Sequence, residues 1–409
     1  MQDRELYQKI LGLEEPWGVD DVELLLESGE IRVRISHPSE TKFCCPECQR
    51  ELACYDHGQE RLWRHLDSCQ FKTYLVAAPP RVQCPEHGVK TARVPWAEPG
   101  SRFTILFERF AIDLLQATQT VKGAKEILRT NWDQTWNVVQ RAVARGLDRK
   151  QVKDVPRLGI DEKAFRKGQD YVTLLVNLDT STVEAIADGN STESANACFS
   201  QLSTEQLNSV QAIAMDMSAA FVKAAKESIP LAEEKIVHDR FHVMQMANQA
   251  VDQIRRAENK ELLATGDDSL KGTRYLWLTG QENLTTKQSE RFEAVYRASL
   301  KTGKAWGFKE LLRDLWNHDS ISQAKAFFDD WFRRVIRTNL APLKKVARTI
   351  KERLSNVINY CLLEITNAVA EGLNSKIMSI KRRVGGFRNR ENFKTAILFY
   401  CGGLDLHPR

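Results

Sequence analysis

A multidomain chain of mixed α+β and α/β character is what this sequence predicts, and three observations carry the prediction. The 409 residues exceed one ordinary domain and suggest roughly two to four. Six of the nine cysteines crowd between Cys44 and Cys84, among short strand patterns. Past residue 154 the apolar period switches from helical to alternating strand and helix, and later back to helical.

The bulk composition excludes several classes. Hydrophobic residues at 42 % and charged residues at 28 % are a globular mixture with enough apolar mass for a sizeable core. No run of about 18 apolar residues occurs, so no membrane contact is expected. The N-terminal residues lack an apolar signal segment, so the expected location is the cytoplasm. A net charge of +5 says little by itself. Its distribution says more: residues 331–353 hold eight Lys or Arg against one acid, and residues 376–394 hold seven against one. Such clusters can neutralise phosphates, although a solvated helix face has the same composition.

Residues 1–100 read as a β-rich unit. Val22–Leu26 and Ile31–Ile35 form a hairpin pattern turned at Glu27-Ser28-Gly29-Glu30. Within this unit Cys45-Pro46-Glu47-Cys48 and Cys84-Pro85-Glu86-His87-Gly88 are two knuckle-like pairs. Cys45, Cys48, Cys84 and His87 together offer three thiolates and one imidazole, a tetrahedral set suited to one structural Zn2+. Cys44, Cys54, Cys69, His57 and His65 are rival ligands. Pro95, Pro99 and Gly100 mark a boundary.

Residues 101–153 read as helices. Phe103, Phe107, Phe110, Leu114 and Leu115 recur at helical spacing, and residues 121–128 give a short helix. Asp133 is the expected cap of a further helix with an apolar stripe of Trp136, Val139, Ala142 and Val143. Two short helices across a tight turn suggest a helix-turn-helix. After the linker Asp154-Val155-Pro156, residues 154–260 give three short strands (158–161, 171–178 and 183–187). A helix, a strand (210–215), a helix, a strand (235–237) and a long helix follow. That order matches a ribonuclease H-like sheet. Residues 261–360 read as a helical insertion. Residues 361–409 carry a late helix (367–382), the Gly385-Gly386 turn and a short terminal helix.

Three acids stand where chemistry could use them. Asp161 and Asp216 end the first and fourth strands, which neighbour each other in such a sheet. Glu371 lies on the late helix, roughly opposite Leu373, with Val369, Leu373, Ile377 and Ile380 as the apolar stripe. Each has a plainer reading, as a helix cap or a solvated residue. Glu162 is an alternative to Asp161, although strand alternation sends it to the other face. Together the three acids could hold two Mg2+ or Mn2+ ions for phosphodiester chemistry.

Four segments resemble the insertion-sequence transposases of the ISL3 family. They are the two knuckles, Gly159-Ile160-Asp161-Glu162 with Phe165, His238-Asp239-Arg240-Phe241-His242-Val243, and Asn367 through Ile377 with its Glu371-Gly372-Leu373-Asn374 core and basic sequel. The likeness covers nearly the whole chain. It implies an Asp-Asp-Glu catalytic triad at Asp161, Asp216 and Glu371, with the 155-residue step between the last two housing the helical insertion. Met378 stands where relatives often carry Lys. The resemblance implies a transposase that binds terminal inverted repeats and target DNA as double strands, cleaves, and joins strands as a homodimer on the nucleoid. Expected DNA contacts are Trp136, Arg141 and Arg145 on the second short helix, then Arg333, Arg334, Lys344 and Lys345. On the late helix they are Asn374, Lys376, Lys381, Arg382 and Arg383. Asp239 and His242 either orient a phosphate, a water or a catalytic neighbour, or Asp239 caps the following helix with His242 packed beneath the sheet. A catalytically silent DNA-binding regulator and a structure-selective nuclease are the rival functions.

Overall fold

The computed structural model describes residues 3–166, 168, 170–298 and 300–409. The chain divides into two compact units, Met1–Lys150 with Leu404–Arg409, and Gln151–Gly403.

The first unit opens with α1 (Asp3–Ile10), then β1 (Gly18–Leu25) and β2 (Glu30–Ser36), the hairpin expected from the sequence. Gly29 adopts φ +66° in the turn, which favours a residue without Cβ. Six further strands follow: β3 (Lys42–Cys44), β4 (Glu51–His57), β5 (Arg61–Arg64), β6 (Lys72–Ala77), β7 (Pro80–Cys84) and β8 (Gly88–Thr91). They complete two four-stranded sheets ordered β1-β2-β6-β5 and β3-β4-β7-β8. Alternation along β2 buries Ile31, Val33 and Ile35 and leaves Arg32 and Arg34 outside. The buried residues pack with Trp17, Trp63, Leu75 and Trp96 in one core.

Three helices complete the unit: α2 (Ile105–Thr118), α3 (Val121–Leu128) and α4 (Trp132–Asp148). A three-residue turn joins α3 to α4, the geometry of a helix-turn-helix. Asn131, not Asp133, caps α4. Its side chain accepts from the Gln134 amide while the Gln134 side chain accepts from the Asn131 amide, a capping box that fixes the helix start two residues early. Residues 404–409 lie along α4. A Cβ on Gly146 would come within 2.7 Å of Leu404 Cβ, so this close approach requires glycine.

In the second unit β9 (Arg157–Ala164), β10 (Tyr171–Asn177) and β11 (Thr182–Asp188) form an antiparallel meander. After α5 (Thr192–Phe199) and α6 (Thr204–Ser209), β12 (Ala212–Met215) pairs parallel to β9. After α7 (Ala219–Ser228) and α8 (Ala232–Lys235), β13 (Ile236–His238) adds parallel to β12, giving the order β11-β10-β9-β12-β13. A 25-residue helix, α9 (Arg240–Ala264), leaves the sheet. The helical region follows as α10 (Arg274–Leu278), α11 (Thr286–Ala298), α12 (Leu300–Arg313), α13 (Ile321–Ile336), α14 (Ala341–Glu352), α15 (Leu354–Ile358) and α16 (Tyr360–Leu363). It shares an aromatic core with α9, built on Trp277, Trp306, Trp316, Phe328 and Trp331. The chain then returns to the sheet as α17 (Ala368–Arg383) and α18 (Arg390–Cys401).

Both faces of the five-stranded sheet are buried. Leu158 and Ile160 of β9 face the layer of α5 and α7 with Phe199 and Phe221. On the other face Leu174 and Val176 of β10 meet Leu373, Ile377 and Ile380 of α17 and Phe393 of α18. The apolar stripe of α17 includes Ala370 rather than half-buried Val369. No helix among the described residues is long and apolar enough to cross a membrane.

Candidate functional site

Strand register sets the first two acids side by side. In the parallel pairs β9/β12 and β12/β13, Ile160 aligns with Met215 and Met215 with His238. One step further, Asp161, Asp216 and Asp239 stand abreast at the C-terminal edge of the parallel strands. Adjacent strands are about 4.8 Å apart, so these three residues are neighbours along the edge, although their carboxylate oxygens do not all lie within 4.8 Å of one another. β9 does not end at Asp161, as its sequence pattern suggests. It continues to Ala164 because β10 keeps pairing with it after β12 has stopped.

Alternation then chooses the face. Ile160 and Met215 point to the α5/α7 layer, so Asp161 and Asp216 point to the layer of α17. Glu162 takes the opposite side, where it accepts a 2.8 Å hydrogen bond from Asn190. α17 runs along β9 on the acid face. Asn367 and Ala370 press on Gly159, where a Cβ would meet the Asn367 Oδ1 at 3.1 Å. Further along, the Asn374 amide donates to Asp161 Oδ2, and Lys381 Nζ donates to the Ala164 carbonyl at 2.8 Å. Glu371 precedes Asn374 by one turn, is exposed, and shares its side of the helix.

Electrostatics mark the edge as crowded with negative charge. Burial holds the Asp216 carboxyl above its usual range, and the neighbouring Asp161 adds to this. The Ser218 amide, donating at 2.9 Å, and the charge of His242 work in the other direction. His242, on the first turn of α9, is raised by Asp239, whose Oδ2 lies 3.7 Å from its Nδ1, and further by Asp216 and Asp161. Its ring is half-exposed and faces the acids, so it does not pack beneath the sheet. Asp239 does cap α9, accepting from the Phe241 amide at 2.9 Å.

The knuckle residues form a tighter cluster. Among the described residues two groups of potential ligands have all their donor atoms within 4.8 Å of one another: Cys45 with Cys48, Cys84 and His87, and His37 with Cys54 and His57. In the first, the Cys48 and Cys84 sulfurs are 3.7 Å apart and His87 Nδ1 is 3.5 Å from Cys84 Sγ. Tetrahedral zinc with bonds of about 2.3 Å to sulfur needs sulfurs about 3.8 Å apart. Burial pushes the Cys84 thiol up. Hydrogen bonds from the His87 ring and from the Glu86 and His87 amides outweigh it and bring the thiol to about 6. Cys44 and Cys69 are exposed and stand outside both groups, and so does His65. His65 is buried, which pushes it down to about 4, and it pairs with Thr104 at 2.9 Å.

The three acids form a looser set than either group. A site for two ions about 3.5–4 Å apart does not require every carboxylate to touch every other.

Several expected DNA contacts are occupied elsewhere. The Arg145 side chain is 7 % exposed, bonded to Glu98 Oε1 at 2.9 Å and to Glu108 Oε2 at 2.7 Å. Arg141 reaches the same two acids at 3.2 Å. Both arginines neutralise Glu108, which is 1 % exposed. Asn374 is 5 % exposed, and its amide donates to Asp161. Lys381 anchors α17 to β9, and Lys376 ties α17 to the Tyr400 carbonyl at 2.8 Å. Trp136 is half-buried, whereas Trp132 at the start of α4 is 46 % exposed. Arg333 and Arg334 share Asp330 but keep 68 % and 63 % of their side-chain surface exposed. Lys345, Arg382 and Arg383 are exposed and Lys344 half-buried.

Comparison with known proteins adds three matched regions. A transposase profile of the ISL3 family matches residues 158–397. A zinc-finger profile of the transposases of IS204, IS1001, IS1096 and IS1165 matches residues 41–87. A profile for the helix-turn-helix domain of transposase family ISL3 matches residues 92–143. The transposase for insertion sequence element IS1001 of Bordetella parapertussis is 25 % identical over 397 residues, 96 % of this chain and 97 % of its own. The transposase for insertion sequence element IS1557 of Mycobacterium tuberculosis is 24 % identical over 420 aligned residues, 95 % of this chain and 93 % of its own.

Proposed function

The chain belongs to the ISL3 family of transposases, and from that premise we propose that it cuts and joins DNA at a carboxylate site of Asp161, Asp216 and Glu371 on a ribonuclease H-like sheet. The sheet order β11-β10-β9-β12-β13, an antiparallel meander followed by two parallel strands, supports the fold reading. The observation that carries the site is the shared face: two aligned aspartates, one of them bonded by the residue one turn after Glu371. Like-charged carboxylates in a partly buried edge lower one another's tendency to ionise, and a divalent cation relieves this.

Asp161, Asp216 and Glu371 are the residues that would hold Mg2+ or Mn2+. Such ions, when bound, supply Lewis-acid charge to the attacking and leaving oxygens. The chain's own groups do the positioning. Asn374 fixes the Asp161 carboxylate, leaving its second oxygen to the Glu162 amide at 2.8 Å. His242 offers positive charge at the rim, where a scissile phosphate would enter. Water first cleaves the element end and leaves a 3′-hydroxyl. That hydroxyl attacks target DNA, one P–O bond forming as another breaks, so no external energy source is required.

The helix-turn-helix and the zinc ribbon, one Zn2+ on Cys45, Cys48, Cys84 and His87, are the reading elements for terminal inverted repeats. Trp132 and the exposed start of α4 replace Arg141 and Arg145 as the contacts expected there. The exposed Arg333, Arg334, Lys345, Arg382 and Arg383, with half-buried Lys344, supply phosphate contacts. Two element ends must meet, which calls for a homodimer on double-stranded DNA, working on the nucleoid in the cytoplasm.

The test is Asp216→Asn. It should retain binding to inverted-repeat DNA and lose strand cleavage by ~10³-fold or more, a barrier change of ~4 kcal/mol. Cleavage near the wild-type rate would remove Asp216 from the site.

A further inference from the structure

We propose a second metal site in the first unit, formed by His37, Cys54 and His57 and suited to Zn2+, separate from the Cys45, Cys48, Cys84 and His87 set. The two sites occupy different parts of the same unit. The knuckles close the β3–β4 and β7–β8 turns, whereas Cys54 lies midway along β4, His57 at its far end, and His37 directly follows β2. A metal here would pin the end of one sheet to the end of the other.

Three independent features favour coordination over an incidental cluster. The first is spacing. His37 Nε2 and His57 Nε2 are 2.9 Å apart, and His57 Nε2 is 3.9 Å from Cys54 Sγ. Tetrahedral zinc, with bonds of about 2.0–2.1 Å to nitrogen and about 2.3 Å to sulfur, places such pairs about 3.3 and about 3.6 Å apart. Shifts of a few tenths of an ångström meet that geometry.

The second is the tautomer. His37 Nδ1 lies 2.9 Å from the Pro38 carbonyl, an acceptor only, so this nitrogen carries the proton. Nε2 then carries no proton and lies 2.9 Å from His57 Nε2. A second nitrogen donating to a backbone carbonyl is the usual support of a metal-bound imidazole. The third is rigidity. The His37 ring is held edge-on by Trp17 at 5.3 Å and Phe43 at 4.7 Å, so little side-chain freedom remains to be lost on binding.

Three protein ligands leave a fourth position. His37 and Cys54 are half-exposed and His57 is exposed, so that position opens to water. The site should therefore bind more weakly and exchange faster than the four-ligand set.

Cobalt titration of the full-length metal-free protein under reducing conditions tests the proposal, because thiolate-to-cobalt charge transfer reports only cysteine-bound metal and ignores the carboxylate site. Wild type should give two steps: a strong band from three thiolates that saturates at the first equivalent, and a weaker one from a single thiolate at the second. His57→Asn and Cys54→Ser should each abolish the second step and leave the first intact, which also certifies that the unit has folded. Zinc measured by mass spectrometry should fall by one ion per chain in both variants. A single step in wild type, or a second step that survives both substitutions, overturns the site.

Discussion

Two arginines that look alike in the sequence as DNA-contact candidates are held by acids of their own unit. Arg141 and Arg145 sit one helical turn apart on α4, the expected reading helix, yet both are committed to Glu98 and Glu108. Burial works against the Arg145 cation, and the two acids outweigh it and raise its pKa. Removing one partner of a buried pair strands the other charge. Arg145→Ala should therefore destabilise the first unit by about 3–5 kcal/mol in urea melts, and Arg145→Met with Glu108→Leu should recover most of that loss. Nothing local in the sequence marks this, because the acids lie 47 and 37 residues away. Asp216 has the opposite character. Its pKa is raised on folding, so the stability it contributes is present below the unfolded carboxylate pKa and is lost as pH rises through the folded value. At neutral pH without divalent cations, the same Asp216→Asn change that ends cleavage should raise the melting temperature rather than lower it. His242 shares that sign in a higher window. Its contribution is complete below the ordinary histidine pKa and fades as pH climbs through its raised folded value.

Among the elements, α17 decides whether the acids form a site. Its hold on β9 runs from Asn367 at Gly159 through Asn374 at Asp161 to Lys381 at Ala164. Asn374→Ala should leave DNA affinity and melting temperature near wild type while lowering the cleavage rate by roughly 10- to 100-fold, the usual scale for a residue that orients a ligand. Much of this layer was legible beforehand. The period-2 runs gave β9, β10 and β11 to within a few residues, and the hairpin turn at Gly29 announced itself. Other features escaped. Asn131 outcompeted Asp133 as the α4 cap because Gln134 could answer it, a reciprocal pair that a search for a lone capping residue overlooks. The continuation of β9 past Asp161 depends on which partner strand is still present, a tertiary fact. The pairing of His37 with His57 across two sheets has no linear signature at all, since 20 residues and a change of sheet separate them.

On the scale of the whole molecule, the two units are stabilised by different means. The first has small sheets and a cysteine-rich cluster. The second has a sheet buried on both faces and an aromatic helical core. Chelation at neutral pH should therefore raise amide exchange in β3, β4, β7 and β8 while β9, β10 and β12 keep their protection. Equal loss across all of them would mean that zinc supports the second unit too. Small metal-dependent folds draw much of their stability from the ion, whereas large apolar cores do not need it.

The six residues of segment 404–409 belong to the first unit although the chain reaches them only after passing through the second. Leu406 is buried there, and its carbonyl receives Arg145. During synthesis, α4 must wait for this packing partner until the whole of the second unit has been read. Residues 1–403 alone would leave that flank of α4 bare, so the helix is completed only after the second unit has been made.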